Sequence, residues 1–338
     1  MAGLDWTADE RAFTYHGGAL EVARRVAPQA PEPWIDLSTG VNPHAYPLPD
    51  LEAETWSRLP ETGALAKLEA AAAQRYGAPA PNVVAGPGSQ ALIQALAHIL
   101  RRGAAGALTP TYGGFAEAFT VAGARIAEVK RFEEMNGLDI AIVVNPNNPD
   151  GRAIPRGDLL GLHERLARRG SVLIVDEAFA DFDPEESLAP SLPASGAVVL
   201  RSFGKTYGLA GLRLGFALAS PDIAPSLRGA LGPWPVSGPA IAIGIRALAD
   251  SHWLEKMRAR LGQDKARLDA LLRDEGWRII GGTRLFRLAE HGDAHAVFER
   301  LLAAGILARP FADERTWLRL GIPGDENAWE RLAAALRS

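Results

Sequence analysis

The sequence predicts an α/β protein: a large domain built on a mostly parallel sheet, followed by a small α+β C-terminal domain. Three observations predict it. Short apolar runs alternate with helical stretches between residues 83 and 218. Those runs are apolar throughout rather than at every second residue, the pattern of strands covered on both faces. The chain has 338 residues, enough for a second, smaller core.

Residues 1–50 read as an arm that packs on the small domain. The stretch 27–49 is rich in proline and has no sustained helical period. An amphipathic helix is expected around residues 64–75. Strands are expected at 83–85, 105–108, 140–144, 172–175, 197–200 and 214–218, with helices at 91–101, 113–121 and 159–168. The pattern breaks at Gly232, Pro233 and Pro235. A long helical stretch from 240 to 275 follows, with a kink expected near Ser251. Strand-like runs at 278–280 and 284–288, a helix at 294–304, strands at 306–308 and 317–320, and a helix from Asp325 complete the chain. The expected division is an arm over 1–50, a large domain over 51–238 and a small domain over 239–338.

Bulk composition narrows the class. The net charge of −4 gives no reason to expect a nucleic-acid or membrane partner. Residues 1–11 are polar and acidic, unlike a secretion signal, and no apolar run reaches membrane-spanning length, so a cytoplasmic enzyme is expected. Cysteine is absent, which excludes disulfides, thiolate metal sites and a cysteine nucleophile. The seven histidines form no ligand cluster, and His291 and His295 sit in a polar segment that reads as solvated. No metal is expected.

In a doubly wound sheet, ligands bind beyond the carboxyl ends of the strands. Gly86-Pro87-Gly88-Ser89-Gln90 follows the first strand and opens a helix, a combination able to hold a phosphate. A plain strand–helix turn with Ser89 as N-cap is the alternative. Asn145-Pro146-Asn147-Asn148-Pro149 puts an amide at another strand end, although every residue there also suits a turn. Asp176 and Glu177 end an apolar strand, where a carboxylate is costly to bury without a partner. The other reading is a solvated strand end. Lys205, one of only five lysines, lies among glycine, aromatic and small residues just after Arg201 and Ser202. Desolvation beside other cations favours the neutral, nucleophilic amine, whereas a plain loop lysine would face water. Anion cradle, amide, carboxylate and lysine together are what pyridoxal 5'-phosphate (PLP) requires.

Taken together, these residues resemble the fold-type I PLP-dependent enzymes, in the histidinol-phosphate aminotransferase-like branch. The resemblance runs from about His16 to Leu336. Its strongest motif is Ser202-Phe203-Gly204-Lys205 followed by Arg213 within Gly208-Leu209-Ala210-Gly211-Leu212-Arg213-Leu214-Gly215. It implies a fold-type I transferase fold and roles by position. Lys205 would carry the cofactor as an imine and Asp176 would pair with its ring nitrogen. Asn148 would bond the ring 3'-oxygen and Tyr112 would stack on the ring. Ser202, Arg213, Ser89 and Gln90 would hold the phosphate. Arg319, in Trp317-Leu318-Arg319-Leu320, would grip a substrate carboxylate, with Arg309 as a second anchor.

The start of the chain is most similar to threonine-phosphate decarboxylases of cobalamin biosynthesis. His16-Gly17-Gly18 and Trp34-Ile35-Asp36-Leu37-Ser38-Thr39-Gly40-Val41-Asn42-Pro43 carry that likeness. His16 and Asn42 are candidates for the substrate end of the site, with a capping or surface histidine as the plainer reading of His16. Three positions depart from the related aminotransferases: Leu59 and Phe179 stand where tyrosines are usual, and Gly204 where a hydroxyl residue is common. The resemblance implies decarboxylation of O-phospho-L-threonine by a homodimer. An aminotransferase acting on histidinol phosphate or a related amino phosphate is the alternative. A binding protein of the same fold, without turnover, is a third reading that Lys205 and Arg319 argue against.

Overall fold

The computed structural model describes residues 9–100 and 103–337. Residues 1–8, part of the polar start, and Arg101, the expected end of one helix, lie outside the described residues. The strands in chain order are β1 (Ile35–Asp36), β2 (Val83–Gly86), β3 (Ala105–Leu108), β4 (Ile126–Val129), β5 (Ile140–Val144), β6 (Val172–Asp176), β7 (Ala197–Ser202), β8 (Gly215–Ala219), β9 (Arg278–Gly282), β10 (Phe286–Glu290), β11 (Ile306–Leu307), β12 (Arg309–Pro310) and β13 (Trp317–Gly321). Contacts divide the chain into two units. The larger takes Ala45–Asn148 and Arg152–Leu254; the smaller takes Met1–His44, Pro149–Gly151 and Glu255–Ser338.

Seven strands form the sheet of the larger unit, in the order β2-β8-β7-β6-β5-β3-β4. The run from β7 to β4 is parallel, and β8 lies antiparallel between β2 and β7. Side chains along each strand alternate between two cores. Ala141, Val143, Leu173, Val175, Val199, Phe216 and Leu218 face one; Ile140, Ile142, Val144, Ile174, Val198, Leu200 and Ala217 face the other. Both layers are needed because both faces of these strands are apolar. Helices Thr62–Tyr76, Arg156–Ala167 and Gly238–Ala249 cover the first face. Helices Ser89–Ile99, Gly114–Val121 and Ala224–Leu231 cover the second.

The direction of β8 has a consequence for chemistry. Its first residue, Gly215, pairs with Ser202 at the end of β7 and with Gly86 at the end of β2. The residues before β8 therefore sit at the same edge as the carboxyl ends of the parallel strands.

In the smaller unit β12, β13, β10 and β9 form an antiparallel sheet, and β1 pairs with β11 in parallel. Helices Ala294–Ala303 and Glu326–Arg337 bury Phe298, Leu301, Leu302, Trp329 and Leu332. The segment before residue 45 belongs to this unit: Phe13 meets Phe298 edge-on at 5.5 Å, and Gly321 N donates to Leu37 O at 2.6 Å.

Some elements differ from expectation. The stretch expected over 240–275 is two helices, Gly238–Ala249 and Ser251–Asp274. They separate at Asp250, whose carboxylate accepts from Trp253 N at 2.9 Å and so caps the second helix. Strand β4 and helix Ala224–Leu231 were not anticipated. Ala127 and Glu128 of β4 are exposed because it is an edge strand, which erases the apolar signature of its neighbours. Among the described residues no helix is long and apolar enough to cross a membrane.

Candidate active site

The larger unit gathers Ser89, Gln90, Tyr112, Asn148, Asp176, Ser202, Lys205 and Arg213 at the carboxyl edge of its sheet, because each follows a parallel strand or precedes β8. Helix Ser89–Ile99 starts one residue earlier than its alternative reading as a cap requires. Gly88, at φ +90°, is the N-cap, and no side chain caps the helix. Ser89 as the N-cap is thereby corrected: only glycine adopts this φ readily at the turn. The first N–H groups of the helix point outward with the positive end of its dipole.

Packing holds this turn tightly. A Cβ on Gly215 would lie 2.5 Å from Ser89 N, and one on Gly88 would lie 2.8 Å from Arg213 Nη2. Backbone N–H groups and the guanidinium of Arg213 thus share one small region, suited to a phosphate. Arg213 is itself held in the left-handed region, at φ +53°, with Nη1 donating to Ala210 O at 3.2 Å.

Tyr112 is positioned by its hydroxyl, which donates to Gln90 Oε1 at 2.8 Å. Gly114 leaves room for that ring, since a Cβ there would come within 2.4 Å of it. The three asparagines after β5 divide their tasks. Asn145 exchanges two hydrogen bonds with the backbone of Ile154, at 2.7 and 3.1 Å. Asn147 donates to Pro110 O and accepts from Thr111 Oγ1, both at 2.8 Å. These two brace the loops that present Asn148 and Tyr112.

Asp176 is buried at the end of β6, and Ala178 N donates to its Oδ1 at 3.1 Å. Burial raises its pKa to about 6, against the pull of the Ala178 N–H and of the Lys205 charge, while Glu177 adds to the rise. A carboxylate in that state favours a cationic partner. Lys205 is half-buried on the turn Phe203–Thr206, with Nζ 4.8 Å from the centre of the Phe179 ring. Phe179 therefore supplies an aromatic face beneath the amine where a tyrosine was usual. Gly204 has a steric reason: a Cβ there would lie 2.7 Å from Ala210 Cα.

His16, Asn42, Arg309 and Arg319 all belong to the smaller unit. Arg309 and Arg319 are direct cross-strand partners on β12 and β13, an unfavourable pairing of like charges. Arg319 is buried over the Phe286 ring, and its Nη2 donates to Ser38 O. Burial, then the Arg309 charge, pushes its pKa well down, opposed by Asp36. An anion seated against the two guanidinium groups would relieve this cost.

Ser38 joins the two arm motifs. Its Oγ donates to Asp36 Oδ1 at 2.6 Å and accepts from Gly18 N at 2.7 Å. Gly17 approaches so closely that a Cβ would lie 2.4 Å from Ser38 O. Arg309 Nη2 donates to Thr14 O and Tyr15 O at 3.4 and 3.1 Å, just before His16. His16 packs against the Tyr15 ring, 4.3 Å between centres. Asn42 is buried and its Oδ1 accepts from His44 N at 3.0 Å, which orders the Asn-Pro turn.

Sequence reasoning missed the polar groups packed behind Lys205: Asp181, Ser187 and Thr206. The one available signal was Arg201, a charge that appears at the end of the apolar run of β7.

Comparison with known proteins gives a consistent pattern. The family described as Aminotransferase class I and II matches residues 32–336. The threonine-phosphate decarboxylase of Pseudomonas aeruginosa is 44% identical over 324 residues, 95% of this chain and 96% of that protein. A threonine-phosphate decarboxylase from a Sinorhizobium species is 41% identical over 326 residues, 95% and 97% of the two chains. Among solved structures, the histidinol-phosphate aminotransferase of Sinorhizobium meliloti in complex with pyridoxal-5'-phosphate aligns with a TM-score of 0.79 at 21% identity. That alignment covers 94% of this chain and 92% of the other, and shows a shared fold.

Proposed function

Because the chain belongs to the aminotransferase class I and II family, we propose that it is a PLP-dependent threonine-phosphate decarboxylase. It converts O-phospho-L-threonine to (R)-1-aminopropan-2-yl phosphate and carbon dioxide. The observation that carries this reading over transamination is the full-length likeness to two threonine-phosphate decarboxylases. A threonine-phosphate decarboxylase activity supports a place in cobalamin biosynthesis.

The donor set fits the cofactor. A helix start without a side-chain cap, pressed against β8 and beside Arg213, suits a phosphate. A buried carboxylate with its pKa at about 6 suits a protonated ring nitrogen. When bound, PLP supplies a conjugated cationic ring that accepts the electron pair released at the substrate's α-carbon.

The chain's own groups have separable tasks. Ser89, Gln90, Ser202 and Arg213 bind the phosphate. Asp176 holds the proton on the ring nitrogen, Asn148 bonds the 3'-oxygen and Tyr112 covers the ring. Lys205 anchors the cofactor and returns a proton to the α-carbon after the bond to the carboxylate breaks and carbon dioxide leaves. Arg319, with Arg309, binds the substrate carboxylate, a task suited to forked donors. His16 and Asn42 belong to the substrate end. The exposed apolar side chains Trp56, Leu59 and Trp234 of the larger unit support a homodimer that covers them.

The deciding experiment supplies O-phospho-L-threonine with no keto-acid acceptor. Carbon dioxide and aminopropyl phosphate are expected in equal amounts over many turnovers, from a species with the mass of two chains. Glutamate formation from histidinol phosphate and 2-oxoglutarate, with no decarboxylation, would overturn the reading in favour of an aminotransferase.

Gly215→Ala tests the cradle. The added methyl group has no room against Ser89 N. Overpacking of this kind costs about 1–3 kcal/mol, so cofactor affinity is expected to fall roughly 10- to 100-fold. Fluorescence titration of the cofactor-free protein reads the change, and an unaltered affinity would place the phosphate elsewhere.

A further inference from the structure

Behind Lys205 lies a network of buried charged and hydroxyl groups that no step of the reaction uses. Arg201, at the end of β7, is 2% exposed. Its Nη2 stands 2.8 Å from Glu177 Oε2 and donates to Ser187 Oγ at 2.6 Å. Its Nη1 donates to Asp181 Oδ1 at 2.5 Å. Asp181 Oδ2 in turn accepts from Thr206 Oγ1 at 2.7 Å. Glu177 also accepts from Ser187 Oγ at 2.7 Å and from Leu188 N at 2.6 Å. The ring of Tyr76 lies against the guanidinium, 4.7 Å from its carbon.

Two features single this network out. It is expensive for a purely structural element: burial works against the Arg201 charge, and the adjacent Glu177 and Asp181 carboxylates, with a smaller contribution from Tyr76, keep its pKa above the ordinary value. Apolar side chains of similar volume commonly stabilise a fold at least as well as a buried ion pair. Its position in the chain is also specific. Glu177 immediately follows Asp176, and Thr206 immediately follows Lys205. The network grips the neighbour of each group to which the chemistry is assigned.

The turn carrying Lys205 needs such a grip. It is a single helical turn, Phe203–Thr206, whose N-cap Ser202 makes no side-chain cap bond. One end is fixed by Phe203, whose ring stacks on Tyr207 at 4.3 Å. The other end is tied at Thr206 by the hydroxyl bond to Asp181. Asp181 is held in place by Arg201, which also holds Glu177 beside Asp176. The chain of contacts thus runs from the lysine turn to the end of β6.

We propose that Asp181 and Thr206 are positioning residues, which with Arg201 and Glu177 fix the Lys205 amine relative to Asp176. The inference rests on the PLP-enzyme reading. Misplacement of a reacting group by about 1 Å lowers rate by up to roughly a hundredfold.

The test is Thr206→Val, nearly isosteric and lacking the donor, compared with Thr206→Ser, which keeps it. For the Val variant kcat is expected to fall roughly 10- to 100-fold with KM close to wild type. The pH midpoint of the bound cofactor's absorbance is expected to move by about half a unit or more, a readout independent of turnover. The Ser variant is expected to restore both. If Thr206→Val does not fold, Asp181→Asn probes the same contact from the other side. A Val variant with lowered Tm but wild-type kcat and midpoint would make the network structural only and overturn the proposal. Borohydride reduction and peptide mapping of the wild type separate the two levels. Cofactor fixed on Lys205 with an unchanged Val variant sinks this inference alone, and no cofactor on Lys205 sinks the PLP reading with it.

Discussion

Replacing Lys205 by alanine is expected to lower turnover by on the order of 10⁶-fold while leaving a folded chain that still takes up the cofactor phosphate. The size follows from the two tasks proposed for one amine, anchoring the reactive group and delivering a proton, neither of which a methyl side chain performs. No other lysine stands where it could substitute. Lys130 is exposed and 3.7 Å from Glu128, Lys67 and Lys256 are exposed on helices, and Lys265 is half-buried on the helix Ser251–Asp274, in the smaller unit. Folding survives because the side chain is half-buried and its ring contact is with Phe179, which keeps its own place in the core. The measurement is single-turnover decarboxylation, with cofactor binding followed by absorbance. Wild-type turnover in the alanine variant would remove Lys205 from the chemistry. Loss of folding, read by circular dichroism, would instead give the lysine a structural role.

Much of the frame was legible in the residues because burial on both faces leaves a strong local signal. The run Ile140–Val144 is apolar at every position and divides its side chains between two cores. Strand ends were legible for the same reason: polar residues such as Asp176 and Lys205 appear abruptly after such runs. What escaped was non-local. That Gly215 faces both Ser202 and Gly86 depends on β8 running antiparallel between β7 and β2, which its own sequence does not encode. The opposition of Arg309 and Arg319 is a matter of register between β12 and β13. Asp181 and Ser187 lie in a turn-rich segment after β6, where polar residues are ordinary. Only the fold brings Arg201 to them. Edge strand β4 was invisible because its exposed centre carries Ala127 and the charged Glu128, which interrupt an already short apolar run.

Asp176→Asn is expected to separate stability from activity, with opposite signs. In the folded, cofactor-free protein the Asp176 pKa stands at about 6, raised by burial from 3.8. Between those values the unfolded chain has released this proton while the folded chain retains it. Stability therefore falls as pH rises through the window from about 4 to about 6, and is level above it as far as this group is concerned. The full drop is about 3 kcal/mol. Asparagine does not titrate and keeps an oxygen for the Ala178 N–H, so the variant escapes the drop. Near pH 4 the two cofactor-free proteins are expected to unfold at similar urea concentrations. At about pH 8 the asparagine variant is expected to be the more stable. Activity runs the other way. A neutral amide cannot hold the proton on the ring nitrogen, and loss of a preorganised electrostatic partner lowers kcat by on the order of 10²–10³-fold. Equal stability of the two proteins at both pH values would show that burial does not burden this carboxylate. Unchanged kcat would show that the ring nitrogen has another partner. If both expectations hold, the charge at the end of β6 is a cost to the fold that the cofactor relieves, and its presence is explained by the reaction rather than by packing.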